Sequence, residues 1–218
     1  MIASQGLRRE VAEAANVLSR LGLVTAYGHV SARAGESMVI TPAADLAGVT
    51  ESEVVGVSLT ASALPAGVPA EAWAHLALYR ARPDAAAIAR AQPASAFAVA
   101  AVVTSLPPVH GQAAWLGASV PVYDGATLLR RPDLAELAAR AAGAGEALLL
   151  RGNGGLTLGA SPGIAVARMW LLSAACEVYL AARAAAGLVT ALSAEEIASW
   201  RAVGDELLPR LWEHLRRR

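Results

Sequence analysis

The chain contains no lysine. All eighteen of its basic residues are arginine, which excludes a lysine Schiff base and a P-loop lysine. Cysteine is almost as scarce. Cys176 alone permits no internal disulfide and fits a cytoplasmic location, and its apolar neighbourhood reads as that of a buried structural thiol rather than a nucleophile. Charge is sparse, at 17% of residues, and sums to zero. The one basic run, Arg216-Arg217-Arg218, sits at a frayed end, so nucleic acid is not an expected partner. From Ala91 to Tyr123 no Asp, Glu, Lys or Arg occurs, but Pro93, Pro107 and Pro108 interrupt the run. Its apolar piece, Ala94–Val103, is too short to cross a bilayer, and the N-terminal stretch around Arg8, Arg9 and Glu10 has no signal-peptide core. No membrane association is expected. With no repeat or low-complexity linker, residues 1–218 read as one domain.

What is abundant is apolar: 56% of residues are hydrophobic, which implies a compact core. Leu7, Val11, Ala14, Leu18 and Leu21 recur at helical spacing over residues 5–21. Two strands follow, around Val30–Ala32 and Met38–Ile40, turning at Gly35; a third covers Val54–Leu59. A helix runs from Glu71 to Arg80 and stops at Pro83, before a strand Ala85–Ala91 of small apolar residues. Pro93 occupies the first position of another helix. Further along come a strand Val120–Tyr123, a helix Pro132–Ala142, and paired strands Ala147–Leu150 and Leu156–Leu158. A helix Pro162–Ala186 follows, capped by Ser161 and ended by Gly187, and then a last helix from Ser193 carrying Trp200 and Trp212. Several strand pairs are too close in sequence for a crossover helix and must be antiparallel. The expected architecture is α/β: a three-layer αβα domain with a central mixed, largely antiparallel sheet.

Three stretches are expected to share one pocket: Glu71 with His75, Ala89-Arg90-Ala91-Gln92, and Arg151-Gly152-Asn153-Gly154. The run Glu71-x-x-x-His75-x-x-x-Tyr79-Arg80-x-Arg82-Pro83-Asp84, with Gly28-His29-Val30-Ser31-Ala32-Arg33, Val39-Ile40-Thr41-Pro42 and Leu148 to Gly159, resembles the class II aldolase/adducin family in order and spacing. That resemblance implies a class II aldolase-like fold, a tetramer, and lyase or epimerase chemistry at a divalent metal held by three histidines. Gly28-His29-Val30-Ser31 resembles the acid-decarboxylase branch, and Pro69-Ala70-Glu71 lacks the serines that sugar-phosphate aldolases place there, which disfavours a sugar phosphate. At the positions of the histidines stand Arg90, Gln92 and Asn153. Arginine holds its proton and cannot act as a neutral ligand. Amide oxygens suit hard ions and bind zinc poorly. No metal and no cofactor is expected.

Glu71 corresponds to the family's acid/base carboxylate, or simply complements the helix dipole. Arg90, in an otherwise apolar strand, needs a partner. It either pairs with Glu71 or takes over the metal's positive charge, holding a substrate carboxylate or enolate oxygen. His29 suits proton transfer near neutral pH. Gln92, Asn153, His75, Ser31 and Thr41 are expected to bind substrate; His75 also stands where it could orient Glu71, and Asn153 where asparagine tolerates a left-handed turn. His110 lies in a loop that either lines the pocket or is plain surface, and Tyr27, Tyr123 and Trp115 read as packing groups. The leading expectation is a metal-independent lyase, decarboxylating or cleaving by retro-aldol a small, anionic, enolisable substrate. Its alternatives are an isomerase or cyclase using the same enolate, and an inactive binding or scaffold protein. A new metal site built from Glu71 with His29, His75 or His110 is a further possibility.

Overall fold

Alternation of short apolar strands with helices of small residues builds a single eight-stranded sheet with helices on both faces. The computed structural model describes residues 4–218. The strands are β1 (His29–Ala34), β2 (Ser37–Ile40), β3 (Val55–Ser58), β4 (Ala87–Ala91), β5 (Ser105–Leu106), β6 (Val120–Tyr123), β7 (Ala147–Leu150) and β8 (Gly154–Gly159). Their order across the sheet is β3-β2-β1-β4-β8-β7-β6-β5. Only β6 and β7 pair in parallel; every other neighbouring pair is antiparallel. This mixed, largely antiparallel sheet is the one the close strand spacing required.

The helices are α1 (Gln5–Arg20), α2 (Ala72–Ala81), α3 (Ala94–Ala100), α4 (Pro132–Ala142), α5 (Pro162–Ala186), α6 (Ala194–Ala202) and α7 (Gly204–Leu215). Period-two alternation in β4 divides them between the two faces. Ala87, Ala89 and Ala91 face a core shared with residues of α1, α3 and α5. Ile88 faces the second core, built on α2 and α4. Arg90, two residues on, therefore points to the α2 side, the only charged side chain in that strand. Helix α5 is long and apolar enough, by length and composition, to cross a membrane over Pro162–Ala185. Here Ala165, Val166, Met169, Leu171 and Leu172 are fully buried in the first core.

Three local expectations are corrected, and one stretch with no expected element gains two. Pro93 is the N-cap of α3 in extended conformation, not its first helical residue. The last helix is two, because Val203 breaks it between α6 and α7. Strand β5 and a 3-10 helix, Gly111–Leu116, occupy a stretch whose prolines and short apolar runs show no period. The β8 strand begins at Gly154, earlier than the apolar run at Leu156, because backbone pairing of Gly154 with Leu150 needs no side chain. Cys176 is buried in the α5 core, and burial pushes its thiol up to about 12.

Candidate active site

The site forms where β1, β4, the N-terminus of α2 and the β7–β8 turn meet. His29 and Arg90 are directly paired across β1 and β4, so both side chains project toward α2. Glu71 is the N-cap residue of α2, yet its side chain makes no capping hydrogen bond. Its carboxylate instead turns to the strands. Glu71 Oε2 lies 3.2 Å from Arg90 Nη2, and Oε1 accepts from Asn153 Nδ2 at 2.8 Å and from the Leu129 N–H at 3.4 Å. Arg90 Nη2 also donates to Asn153 Oδ1. Gln92 completes the floor: its amide lies 3.0 Å from Asn153 Oδ1 and 3.2–3.3 Å from both terminal nitrogens of Arg90. In one amide orientation it donates to Asn153; in the other its oxygen accepts from Arg90.

The β7–β8 turn presents Asn153 through its glycines. Positive φ falls on Gly152 (71°) and Gly154 (78°), and among the described residues on none other than glycine. Asn153 is therefore not the left-handed residue of the turn. A Cβ at Gly154 would stand 2.1 Å from the Ala91 carbonyl oxygen, so the hairpin lies flush against the end of β4 only because that residue is glycine. This close approach brings the Asn153 amide between Glu71 and Arg90.

Behind the floor runs a buried polar chain. Tyr79 Oη lies 2.9 Å from Ser31 Oγ, which is 2.7 Å from His75 Nδ1. The His29 and His75 rings meet edge to face at 5.7 Å. Tyr79 carries the Arg33 guanidinium 4.9 Å over its ring. Among the described residues, His29 Nδ1, His75 Nε2 and Arg90 Nε have no hydrogen-bond partner. Burial, then the neighbouring His75 and Arg90, hold His29 well below its ordinary value. Burial and Arg90 bring His75 down to about 3. Both rings are neutral at pH 7. Burial pulls the Arg90 guanidinium below its usual range, and Glu71 opposes that shift.

A pocket of about 630 Å³ opens over this floor, and Glu71, Arg90, Gln92, Asn153 and His29 line it. Ser31, Thr41 and His75, expected to touch substrate, are fully buried and are not among its lining residues. Thr41 Oγ1 accepts from the Val30 N–H at 3.2 Å, and Ser31 and His75 bond within the polar chain. They back the wall. His75 bonds to Ser31 and not to Glu71, because strand β1 places the hydroxyl beside its Nδ1. His29 lines the pocket, but its titration lies below the near-neutral range expected of it. His110 does not line the pocket, and among the described residues no group of three or more His, Cys, Asp or Glu side chains is placed to hold a metal ion.

The sequence reading missed the rest of the rim. Tyr27 is not a packing group: it is 68% exposed and lines the mouth together with Leu128, Arg130 and Asp45. The available signal was the Arg130-Arg131 pair, in which only Arg131 has an aspartate two residues ahead.

The family profile described as Class II Aldolase and Adducin N-terminal domain matches residues 9–180. The L-fuculose phosphate aldolase of Escherichia coli (strain K12) is 31% identical over 199 residues, covering 88% of this chain and 91% of the aldolase. The 3,4-dihydroxyphthalate decarboxylase of Terrabacter sp. (strain DBF63) is 28% identical over 209 residues, covering 88% of this chain and 87% of the decarboxylase. A solved structure of L-fuculose 1-phosphate aldolase superposes with a TM-score of 0.85 at 25% identity, over 94% of this chain and 98% of that one. By profile, sequence and sheet, this chain belongs to the class II aldolase and adducin family.

Proposed function

We propose that the protein is a carbon–carbon lyase that works without a divalent metal. Its substrate is small, enolisable and carboxylated, and it is cleaved by decarboxylation or retro-aldol reaction through an enolate. The observation that carries this reading is the buried Arg90 guanidinium on the pocket floor, held between Glu71 and Asn153. The family relatives supply the reaction class, since one is named as an aldolase and another as a decarboxylase.

The donor set does not fit the three-histidine ion that the resemblance implies. A guanidinium offers no lone pair. The Asn153 oxygen is already taken by Arg90, and amide oxygens are poor ligands for zinc. We read Arg90, Gln92 and Asn153 as replacements of the histidines, with Arg90 supplying a fixed positive charge at the same place.

In the retro-aldol case Glu71 accepts the proton of the β-hydroxyl group. The carbon–carbon bond breaks and the carbonyl fragment leaves. The electron pair moves onto the substrate's carbonyl oxygen, where Arg90 holds the resulting enolate. Glu71 then returns the proton to carbon. In decarboxylation the electron pair of the carbon–carboxylate bond takes the same route, carbon dioxide leaves, and the carbon is protonated by Glu71 recharged from solvent. His29, neutral and on the pocket wall, is a second proton acceptor. Gln92 and Asn153 orient the substrate and the Glu71–Arg90 pair. Residues 1–218 act as one domain in a homo-oligomer, a tetramer in the cytoplasm.

One feature favours a second reading, a binding protein without turnover: Glu71 and Arg90 already satisfy each other. Steady-state assays on β-keto and β-hydroxy carboxylic acids decide between the two. Arg90→Ala is expected to lower kcat by about 10²–10³-fold, the scale for removal of one oxyanion donor, with Arg90→Lys partly active. Turnover unaffected by Arg90→Ala would overturn the mechanism, and no turnover of any such acid would favour the binding protein.

A further inference from the structure

The charges on the pocket floor neutralise one another, since Arg90 is held by Glu71. The charge at the mouth is not neutralised in this way. Arg130 lines the same pocket, and its exposed guanidinium has no ion pair or hydrogen bond among the described residues. The neighbouring Arg131 is paired with Asp133 and Arg151 with Asp124. Asp45, the other charged residue at the mouth, accepts from the Ala47 N–H at 2.9 Å.

Arg130 is not on a loose tether. Its N–H donates to the Leu128 carbonyl at 2.8 Å. The preceding residue, Leu129, buries its side chain in the α2–α4 core and reaches Glu71 Oε1 with its own N–H. The free cation is thus mounted one residue from a direct contact with the proposed proton carrier. Much of the remaining wall is apolar. Ala26, Pro42, Ala43, Ala44, Pro69 and Ala70 line the pocket without a single side-chain donor or acceptor. Leu128, 43% exposed, and Tyr27 flank the opening.

We propose that Arg130 is an anion-binding, specificity-determining residue. It captures a carboxylate remote from the reacting carbon, on a ligand whose apolar body lies along the alanine–proline wall. A planar carboxylate matches the fork of one guanidinium. A phosphate group presents more acceptors than this wall can answer. The inference rests on the lyase reading only in calling that ligand the substrate; the subsite itself stands on the unpaired cation and the apolar wall.

Isothermal titration calorimetry of the full chain with benzoate, acetate and inorganic phosphate tests it. Benzoate is expected to bind more tightly than the other two, because only benzoate combines a carboxylate with an apolar body. Arg130→Ala should weaken benzoate binding by about tenfold, the scale of a hydrogen bond to a charged group. Arg131→Ala, at an exposed neighbouring position, should leave it unchanged and controls for loss of surface charge. Wild-type protein that does not bind benzoate would overturn the proposal, as would unchanged affinity in Arg130→Ala or phosphate binding as tightly as benzoate. Calorimetry reads binding without turnover, so failure of the lyase reading would appear separately, as absence of product while the Arg130 dependence remains.

Discussion

Glu71 and Arg90 face each other across the joint between α2 and β4, 3.2 Å apart, with 13% and 3% of their side chains exposed. One comes from a helix cap and the other from the next-to-last position of a five-residue strand, so the pair ties the second helix layer to the sheet at the pocket floor.

This pair predicts strongly non-additive mutagenesis. Glu71→Leu leaves a buried guanidinium with only amide partners, and Arg90→Met leaves the carboxylate without a cation, held only by the Asn153 amide and the Leu129 N–H. Removing one partner of a buried pair costs about 3–5 kcal/mol, whereas replacing both by apolar residues is often close to neutral. Urea denaturation should show the double variant to be more stable than Glu71→Leu. A double variant less stable than either single variant would show that the pair is a net stabilising interaction.

Acid should destabilise the fold from just below neutrality. His29 and His75 are held neutral, His75 down to about 3, whereas in the unfolded chain each titrates near its ordinary value of about 6.5. Below that pH the unfolded state binds more protons than the folded state, so stability is full above about pH 6.5 and declines as pH falls toward 3. Each ring contributes a slope of about 1.4 kcal/mol per pH unit within this window. Urea midpoints between pH 7.5 and 5, above the main carboxylate titrations, isolate the effect. His75→Gln should flatten the decline by roughly half, and a wild type with level stability over this range would contradict the buried neutral assignment.

The Tyr79–Ser31–His75 chain should behave as a unit. Tyr79→Phe removes one hydroxyl from a fully enclosed run, and Ser31→Ala removes the atom that both neighbours share. Leaving a buried polar group unsatisfied costs about 1–3 kcal/mol, so Ser31→Ala should be the more damaging of the two. Equal losses in thermal or urea unfolding would show that Ser31 does not bridge the two.

The glycines of the β7–β8 turn should differ sharply in tolerance. Gly152→Ala meets nothing nearer than the Ala126 Cβ at 3.8 Å and pays only the left-handed conformation, about 1–2 kcal/mol. Gly154→Ala adds a collision with the Ala91 carbonyl and should cost about 3 kcal/mol or more. It should also displace Asn153 and weaken any ligand held at the floor. Equal stabilities would mean that the hairpin is not seated on β4.

Much of this was legible in the sequence, for identifiable reasons. The strands and long helices follow from apolar period and from end signals such as Ser161 and Gly187, and the close strand spacing required antiparallel pairing. The stretches bearing Glu71, Arg90 and Asn153 were expected in one pocket and do meet there. What composition could not convey was direction. Ser31 is a polar residue in a strand, and only the register of β1 reveals that it points toward α2; Thr41, just beyond β2, turns its hydroxyl to the Val30 N–H. His75 had two acceptable partners on spacing alone, and the sheet decided for Ser31. Tyr27 and Arg130 sit in segments without period, where nothing in the local pattern separates a pocket rim from plain surface.

The seating of Gly154 against β4 has a consequence for redesign. The two glycines carry the unusual backbone of the turn, so residue 153 between them is free to change its side chain without altering the hairpin. Position 90 already reaches the Asn153 amide, and position 92 stands within 3.0 Å of it. The fold therefore brings positions 90, 92 and 153 together whatever side chains they carry. Arg90→His, Gln92→His and Asn153→His combined should create a zinc-binding protein, read as about one equivalent of zinc by elemental analysis after dialysis. A folded triple variant that takes up no zinc would show that the three side chains do not converge. On this view a change between cation chemistries within one scaffold needs three side-chain exchanges and no movement of the chain.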